Sequence, residues 1–221
     1  MITSTFTIVA ADGEDWGVAV ASRVLAVGGI VPAADATWGV VATQAAVNVG
    51  WKRAGMSLLQ SGCSAQQAVD QLVADDARPD VRQLIVLDRA GRAAAHSGED
   101  CQQWAGHIVG EGFAVAGNLL AGEAVIASMA SAYRSSAGPL VQRLLLSLES
   151  GDSAGGDRRG RQSAAVQVVR LAGGIDGLDD RVCDLRIDDH PDPVRELRRL
   201  ASIQFGDAGE TPSSAPRPAA D

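Results

Sequence analysis

A glycine- and arginine-rich segment has the most concentrated potential for ligand binding in the sequence. It covers residues 155–163 and reads GGDRRGRQS. Its glycines permit positive φ angles or close approach to a ligand, and its arginines could bind a carboxylate or phosphate through paired hydrogen bonds. Two interpretations stay open. Either the segment orients a substrate through Asp157, Arg158, Arg161 and Ser163, or its arginines pair with surface carboxylates.

Two amide side chains stand in otherwise apolar runs. Gln44 lies in the run 38–46, and Asn118 follows the run Val115-Ala116-Gly117. A buried amide needs hydrogen-bond partners, and its N–H groups could also donate to the oxyanion of an acyl-transfer reaction. The alternative for each residue is a structural amide that bridges backbone groups.

The segment DLRIDDHP at residues 184–191 resembles a metal-binding motif at first sight. Pro191 predicts the start of a helix, so Asp189 or His190 is expected to cap that helix. The alternative for Asp188 is a pair with an arginine of the preceding segment. Zinc-ligand spacings, a P-loop and the G-x-G-x-x-G motif are all absent from the sequence. We therefore predict neither a metal nor a cofactor.

The elements that must position these residues are strands joined by short turns. Two antiparallel hairpins are predicted, at residues 5–22 with Asp-Gly at the bend and at residues 83–96. Further strands are predicted at residues 38–46, 163–170 and 181–187, with helices between them. Several strands are apolar on both faces, whereas an antiparallel sheet with one wet face alternates. The pattern thus predicts an α+β fold, a four-layer αββα sandwich with two mainly antiparallel sheets between helix layers.

Composition limits both the organisation and the partners of the chain. Its 221 residues are 46% apolar, which suits a single domain at residues 1–205. A Pro/Ala/Ser-rich tail at residues 206–221 is predicted to be disordered. The net charge of −8 argues against partners such as nucleic acid or an anionic membrane surface. No uninterrupted apolar run of about 18 residues is present, so we expect a cytoplasmic location.

Several of these segments together resemble a known family. The residues that carry the likeness are TFTIVA at 5–10, WGVAVASR at 16–23, ATQA at 42–45, GDRRGRQSAA at 156–165 and DLRIDDHP at 184–191. They resemble the bacterial family called domain of unknown function 1028, which is grouped with the Ntn-hydrolase-like proteins. The resemblance implies the αββα sandwich. It also implies an N-terminal nucleophile at the position of Thr5, whose own α-amine acts as the base.

The chain departs from that pattern because Met1-Ile2-Thr3-Ser4 precedes Thr5. Ile2 is too large for removal of the initiator methionine, so catalysis requires another route to a free Thr5 amine. Two hypotheses follow. One is an amidohydrolase for a small amide or peptide-like substrate, with Thr5 as nucleophile, Asn118 or Gln44 at the oxyanion, and Asp157 with the arginines orienting the substrate. The other is a noncatalytic ligand-binding or assembly protein, with a homodimer as one possible assembly.

Overall fold

The chain folds into two antiparallel sheets and six helices, as seen in a computed structural model that describes residues 2–206. The predicted mixed α+β class and the two antiparallel sheets are confirmed. Apart from Gly206, the predicted tail at residues 206–221 lies outside the described residues. Among residues 2–206, no helix combines the length and the apolar character needed to cross a membrane.

The strands are β1 (Ile2–Thr3), β2 (Thr5–Asp12), β3 (Asp15–Ser22), β4 (Pro32–Asp35), β5 (Gly39–Ala46), β6 (Arg82–Asp88), β7 (Ala93–Ser97), β8 (Gly106–Gly110), β9 (Phe113–Asn118), β10 (Ser163–Val169) and β11 (Arg181–Ile187). The helices are α1 (Val27–Ile30), α2 (Gly50–Gln60), α3 (Ala65–Ala74), α4 (Ala124–Ser135), α5 (Leu140–Ser153) and α6 (Pro193–Phe205).

The strands form two sheets, which we call sheet 1 and sheet 2. Sheet 1 has the order β1-β5-β6-β7, with β4 also paired to β5. Sheet 2 has the order β11-β10-β3-β2-β9-β8. Both predicted hairpins are confirmed, because β2 pairs with β3 and β6 pairs with β7 in antiparallel register. The first hairpin turns at Gly13, whose φ of 61° suits glycine.

Both sheets contribute apolar side chains to more than one hydrophobic cluster. One cluster combines residues of the two sheets, among them Val9 and Val20 of sheet 2 with Val40 and Ile85 of sheet 1. A second cluster joins sheet 2 to α4, α5 and α6, and a third joins sheet 1 to α2 and α3. Neighbouring residues of one strand enter different clusters, which explains why the strands lack polar alternation.

The helix predicted to begin at Pro191 begins instead at Pro193. Asp192 precedes it, and the Nδ1 atom of His190 accepts the backbone N–H of Asp192 at 3.0 Å. Asp188 binds Arg186, and Asp189 accepts a hydrogen bond from Gln162. Proline fixes φ but has no N–H, so either proline suited the first helical turn, and the sequence did not decide between them.

Candidate functional site

Four polar residues lie side by side at one end of sheet 2. Thr5, the first residue of β2, is opposite Ser22 of β3 and Asn118 of β9. Ser22 is in turn opposite Ser163, the first residue of β10. All four side chains are completely buried. We call this set, Ser163, Ser22, Thr5 and Asn118, the hydroxyl row.

A second polar row crosses sheet 1. Gln44 of β5 is opposite Gln83 of β6, and Gln83 is opposite Ser97 of β7. Gln44 Nε2 donates to Gln83 Oε1 at 2.7 Å, and Gln83 Nε2 donates to Ser97 Oγ at 2.7 Å. We call this set, Gln44, Gln83 and Ser97, the amide row.

Hydrogen bonds connect the amide row to sheet 2. Thr7 Oγ1 donates to Gln44 Oε1 at 2.6 Å, and Asn118 Nδ2 donates to Gln83 Oε1 at 3.2 Å. Gln83 Nε2 also lies within hydrogen-bond distance of the carbonyl oxygens of Gly117 and Gly106, at 2.9 and 3.1 Å. Gln83 is therefore the central residue of a buried polar network that spans both sheets, and it fixes their relative position at this end.

Thr5 sits at the hydroxyl row with its nitrogen in a peptide bond. Its Oγ1 atom donates to Ser22 Oγ at 3.4 Å, and Ser22 Oγ donates to the carbonyl oxygen of Ser4. Ser4 is itself completely buried, and its hydroxyl donates to the carbonyl oxygen of Asn118 at 3.1 Å. The hydroxyl of Thr5 and the peptide bond before it are thus held together in one buried, hydrogen-bonded cluster.

Asn118 brings an unpaired acceptor to the same cluster. Its Oδ1 atom is buried and has no hydrogen-bond partner within residues 2–206. A buried amide oxygen without a donor is costly, by about 1–3 kcal/mol. Such an atom next to Thr5 identifies a place where an N–H donor would be stabilised.

The glycine- and arginine-rich segment lies at the same end of sheet 2. The backbone N–H of Gln162 donates to the carbonyl oxygen of Ser22 at 2.7 Å, and that of Arg158 donates to the carbonyl oxygen of Leu119 at 3.1 Å. Gly156 adopts φ of 49°, and a Cβ atom there would lie 3.2 Å from the ring of Phe6. The segment therefore follows the ends of β3 and β9, beside the hydroxyl row.

The carboxylate of Asp157 holds that segment in place. Its side chain is completely buried and accepts the backbone N–H groups of Arg23 at 3.1 Å and Arg159 at 2.8 Å. It also forms an ion pair with the Arg159 guanidinium at 3.1 Å. Arg23 follows Ser22 directly, so Asp157 fixes the backbone beside Thr5 without bonding to Thr5 itself.

The other predicted substrate-binding residues make local contacts. Arg158 is exposed, and it donates to the carbonyl oxygen of Gln103 at 3.3 Å. Arg161 forms ion pairs with Asp152 at 2.9 Å and Asp192 at 3.4 Å. Within residues 2–206, no hydrogen bond or ion pair joins either arginine to Thr5.

Burial raises the pKa of the Asp152 carboxyl; Arg161 lowers that pKa and Asp192 raises it further. Arg161 thus compensates two carboxylates at α5 and before α6. Ser163 is also occupied, since its hydroxyl accepts the backbone N–H of Val27 at 3.0 Å and donates to the carbonyl oxygen of Val24. These contacts anchor the segment to its neighbours.

Sequence reasoning brought Thr5, Asn118 and Gln44 to this site but missed Ser22 and Gln83. Both missed residues stand at the end of an apolar strand, Ser22 last in β3 and Gln83 second in β6. That position is a usable signal, because a polar residue that closes a buried run needs a partner. In the part of the chain that the structure describes, no group of three or more His, Cys, Asp or Glu residues could hold a metal ion.

Two comparisons with known proteins find matches that cover most of the chain. The profile of a family of unknown function, DUF1028, matches residues 5–197. The chain belongs to the DUF1028 family. The crystal structure of the DUF1028 protein SPO2555 from Silicibacter pomeroyi superposes on it with a TM-score of 0.82 at 31% sequence identity, covering 90% of this chain and 88% of that one. A comparison with curated proteins finds no match.

The region shared with the DUF1028 family begins at Thr5, the first residue of β2. It includes every residue of the hydroxyl row and the amide row. Strand β1 lies before it, so the structure adds to the DUF1028 region a short segment that pairs with sheet 1.

Proposed function

We propose that this DUF1028 protein is an amidohydrolase of the N-terminal-nucleophile (Ntn) type, built on a four-layer αββα sandwich, with Thr5 as its nucleophile. The layer order is supported by the three hydrophobic clusters, of which one combines both sheets and two combine a sheet with helices. The observation that carries the proposed activity is the buried Thr5 hydroxyl in a row with Ser22 and Asn118.

In this reaction the Thr5 hydroxyl attacks the carbonyl carbon of an amide while the Thr5 α-amine takes the hydroxyl proton. The amine then passes that proton to the departing nitrogen, and an ester remains on Thr5. Water hydrolyses the ester, which returns the hydroxyl and releases the acid. Each step needs a free α-amine, so the active chain must begin at Thr5, without the Ser4–Thr5 peptide bond.

The side chains that contact or adjoin the Thr5 hydroxyl in the two rows are uncharged. Ser22, Asn118, Gln44 and Gln83 carry no charge, and an α-amine ordinarily has a pKa of about 7.7–8.0. The unpaired Asn118 Oδ1 would accept an N–H of the same amine and hold its lone pair in place.

Ser22 is the best-supported donor to the oxyanion. Its hydroxyl already donates to a carbonyl oxygen, that of the residue before Thr5. The amide N–H groups of Gln44 and Asn118 are both directed at Gln83 Oε1. We therefore assign Ser22 to the carbonyl of the substrate, and Gln44 and Asn118 to the network that positions it.

The test compares four chains that begin at the nucleophile position, produced with a preceding methionine that the host removes. The chain beginning at Thr5 should hydrolyse at least one member of a panel of small amides, dipeptides and N-acyl amino acids. Thr5→Ser should retain part of that turnover because serine keeps the hydroxyl and the amine, and Thr5→Ala should abolish it. Thr37→Ala, on an exposed loop, is the matched control and should leave turnover unchanged. Full activity in Thr5→Ala would exclude Thr5 as the nucleophile.

A second candidate is a noncatalytic binding protein on the same fold. It is favoured by the buried Ser4 and by the peptide bond that occupies the Thr5 nitrogen. Intact-mass measurement on the protein from its own host separates the two, because the hydrolase requires a chain that begins at Thr5. An uncleaved chain together with an inactive chain beginning at Thr5 would favour the binding protein.

A further inference from the structure

The segment before Thr5 connects the two sheets at the candidate site. We call residues 2–4 the N-terminal strap. Ile2 and Thr3 pair antiparallel with Ala46 and Ala45 of β5 in sheet 1, and the chain enters sheet 2 at Thr5. The strap therefore crosses from one sheet to the other beside the hydroxyl row, with Ser4 buried at the crossing.

The strap fills a stretch of β5 that the fold otherwise leaves open. On one side, β5 pairs with β6 along Gly39–Ala45. On its other side, β4 pairs with residues 39–42, and the backbone N–H of Thr43 donates to the carbonyl oxygen of Val31 at 3.2 Å, so the edge beyond residue 43 has room for another strand. The strap takes that place at Ala45 and Ala46.

Ala45 has an unusual backbone at this point. Its φ is 64°, in the left-handed region that alanine rarely adopts. Such conformations are strained and persist where the surroundings impose them, frequently at ligand sites. The strained residue is one of the two with which the strap pairs.

Space for a ligand side chain adjoins the same strand end. An open cavity of about 340 Å³ is lined by Asn48, Trp51, Asp76 and Arg82, among others. Arg82 donates to the carbonyl oxygen of Ala46, so the cavity lies next to the strap's partner residue. The groove thus combines a backbone edge, a buried hydroxyl row and an adjacent cavity.

From these features we propose that the strap occupies a groove for the extended backbone of a peptide, which would pair with Ala45–Ala46 in its place. Backbone pairing to a sheet edge binds extended peptides with little dependence on sequence. In a chain that begins at Thr5, the ligand is a short peptide that ends with a carbonyl at Ser22, where the Ser4 carbonyl now lies. This inference rests on the proposed function, which gives the peptide its role as the substrate. The strap is then an intramolecular competitor of that substrate.

The test displaces the strap in the full chain. Thr3→Pro removes a backbone N–H and disfavours strand pairing, whereas the matched control Thr3→Val keeps the N–H and a β-branched side chain. In the full chain Ser4 stays bonded to Thr5, so the probe replaces only the paired part of the strap. It is the acetylated, amidated tripeptide Met-Ile-Thr, with Met-Ile-Pro as the control peptide, and binding is measured by calorimetry. Circular dichroism melts show whether each variant is folded.

We expect the probe to bind Thr3→Pro about tenfold or more tightly than wild type, because a tethered strap competes at an effective concentration of about 1 mM. Wild type and Thr3→Val should bind alike, and the control peptide should bind none of them. Hydrogen exchange supplies a second readout. The amides of Ala45 and Ala46 should exchange faster in Thr3→Pro and regain protection when the probe is added.

Failure of this inference differs from failure of the proposed hydrolase. Equal probe binding to wild type and Thr3→Pro, or no binding to folded Thr3→Pro and to the folded chain beginning at Thr5, overturns the peptide groove. Binding without any turnover in the chain beginning at Thr5 leaves the groove and removes the hydrolase. Turnover of small amides without probe binding removes the groove and leaves the hydrolase.

Discussion

Replacing Gln83 with leucine tests whether the buried network holds the two sheets together. The Gln83 amide oxygen accepts from Gln44 and Asn118, and its nitrogen faces three oxygen atoms, of Ser97, Gly106 and Gly117. Leucine has a similar volume but neither donates nor accepts. Gln83→Leu therefore leaves the amide donors of Gln44 and Asn118 buried without an acceptor.

Each buried donor left without an acceptor costs about 1–3 kcal/mol, which the added apolar surface of leucine offsets in part. We expect Gln83→Leu to lower the free energy of unfolding by about 3 kcal/mol. For a domain of this size that corresponds to a melting temperature lower by about 6–12 °C. Urea unfolding at pH 7, monitored by circular dichroism, measures the difference directly.

Gln66→Leu provides the matched control. Gln66 is an exposed residue of α3 whose amide donates to Asp70, so the same chemical change should alter the free energy of unfolding by less than about 0.5 kcal/mol. If Gln83→Leu is as stable as Gln66→Leu, the network does not stabilise the packing of the two sheets, and the reasoning from buried unpaired donors is wrong.

Three further predictions concern the surroundings of the site. Asp157→Ala should lower the free energy of unfolding by about 3 kcal/mol, because it leaves buried backbone N–H groups without an acceptor. Exposed Arg158→Ala is the control in the same urea unfolding experiment and is expected to resemble wild type. If Asp157→Ala is as stable as Arg158→Ala, the prediction is wrong. Gly39 has φ of 122°, and a Cβ atom there would lie 2.1 Å from the carbonyl oxygen of Leu87, so Gly39→Ala should cost about 3 kcal/mol in a thermal melt. Burial alone would raise the pKa of Asp88, but hydrogen bonds from backbone N–H groups and a guanidinium lower it. The stability from Asp88 is therefore present above about pH 4 and lost as the pH falls through the lowered pKa, and Asp88→Asn should lose less stability than wild type between pH 7 and pH 3.

The fold was accessible from sequence because its main signal is local. Apolar residues on both faces of hairpin strands predicted a sheet covered on both sides, and the hydrophobic clusters of the structure contain those residues. Helix α2 was missed, since it begins at Gly50 and no side chain caps it. Strands β1 and β4 were missed because each is short, at Ile2–Thr3 and Pro32–Asp35, and carries too few residues for a period to be read. The hairpin of β8 and β9 was missed as well.

The site was only partly accessible because its rows depend on register between distant strands. Asn118 and Gln44 could be found one at a time, as amides in apolar runs. That Ser22 lies between Thr5 and Ser163 follows from the pairing of β3 with β2 and β10, which no local pattern contains. The catalytic and substrate-binding roles of Thr5, Asn118, Gln44, Asp157, Arg158, Arg161 and Ser163 stay predictions.

The order of strands in sheet 2 constrains how the chain folds while it is being synthesised. Strands β4 to β7 of sheet 1 are consecutive and complete once residue 97 has been made, whereas β3 must wait for β10, which pairs Trp16 with Val169. Until then the β2–β3 hairpin presents apolar faces and an unpaired edge, which is the kind of surface that aggregates or recruits chaperones. Such distant pairing also slows folding. A nascent chain that stops before residue 163 would therefore keep the centre of sheet 2 open, so ribosome stalling in the preceding region is a particular hazard for this protein.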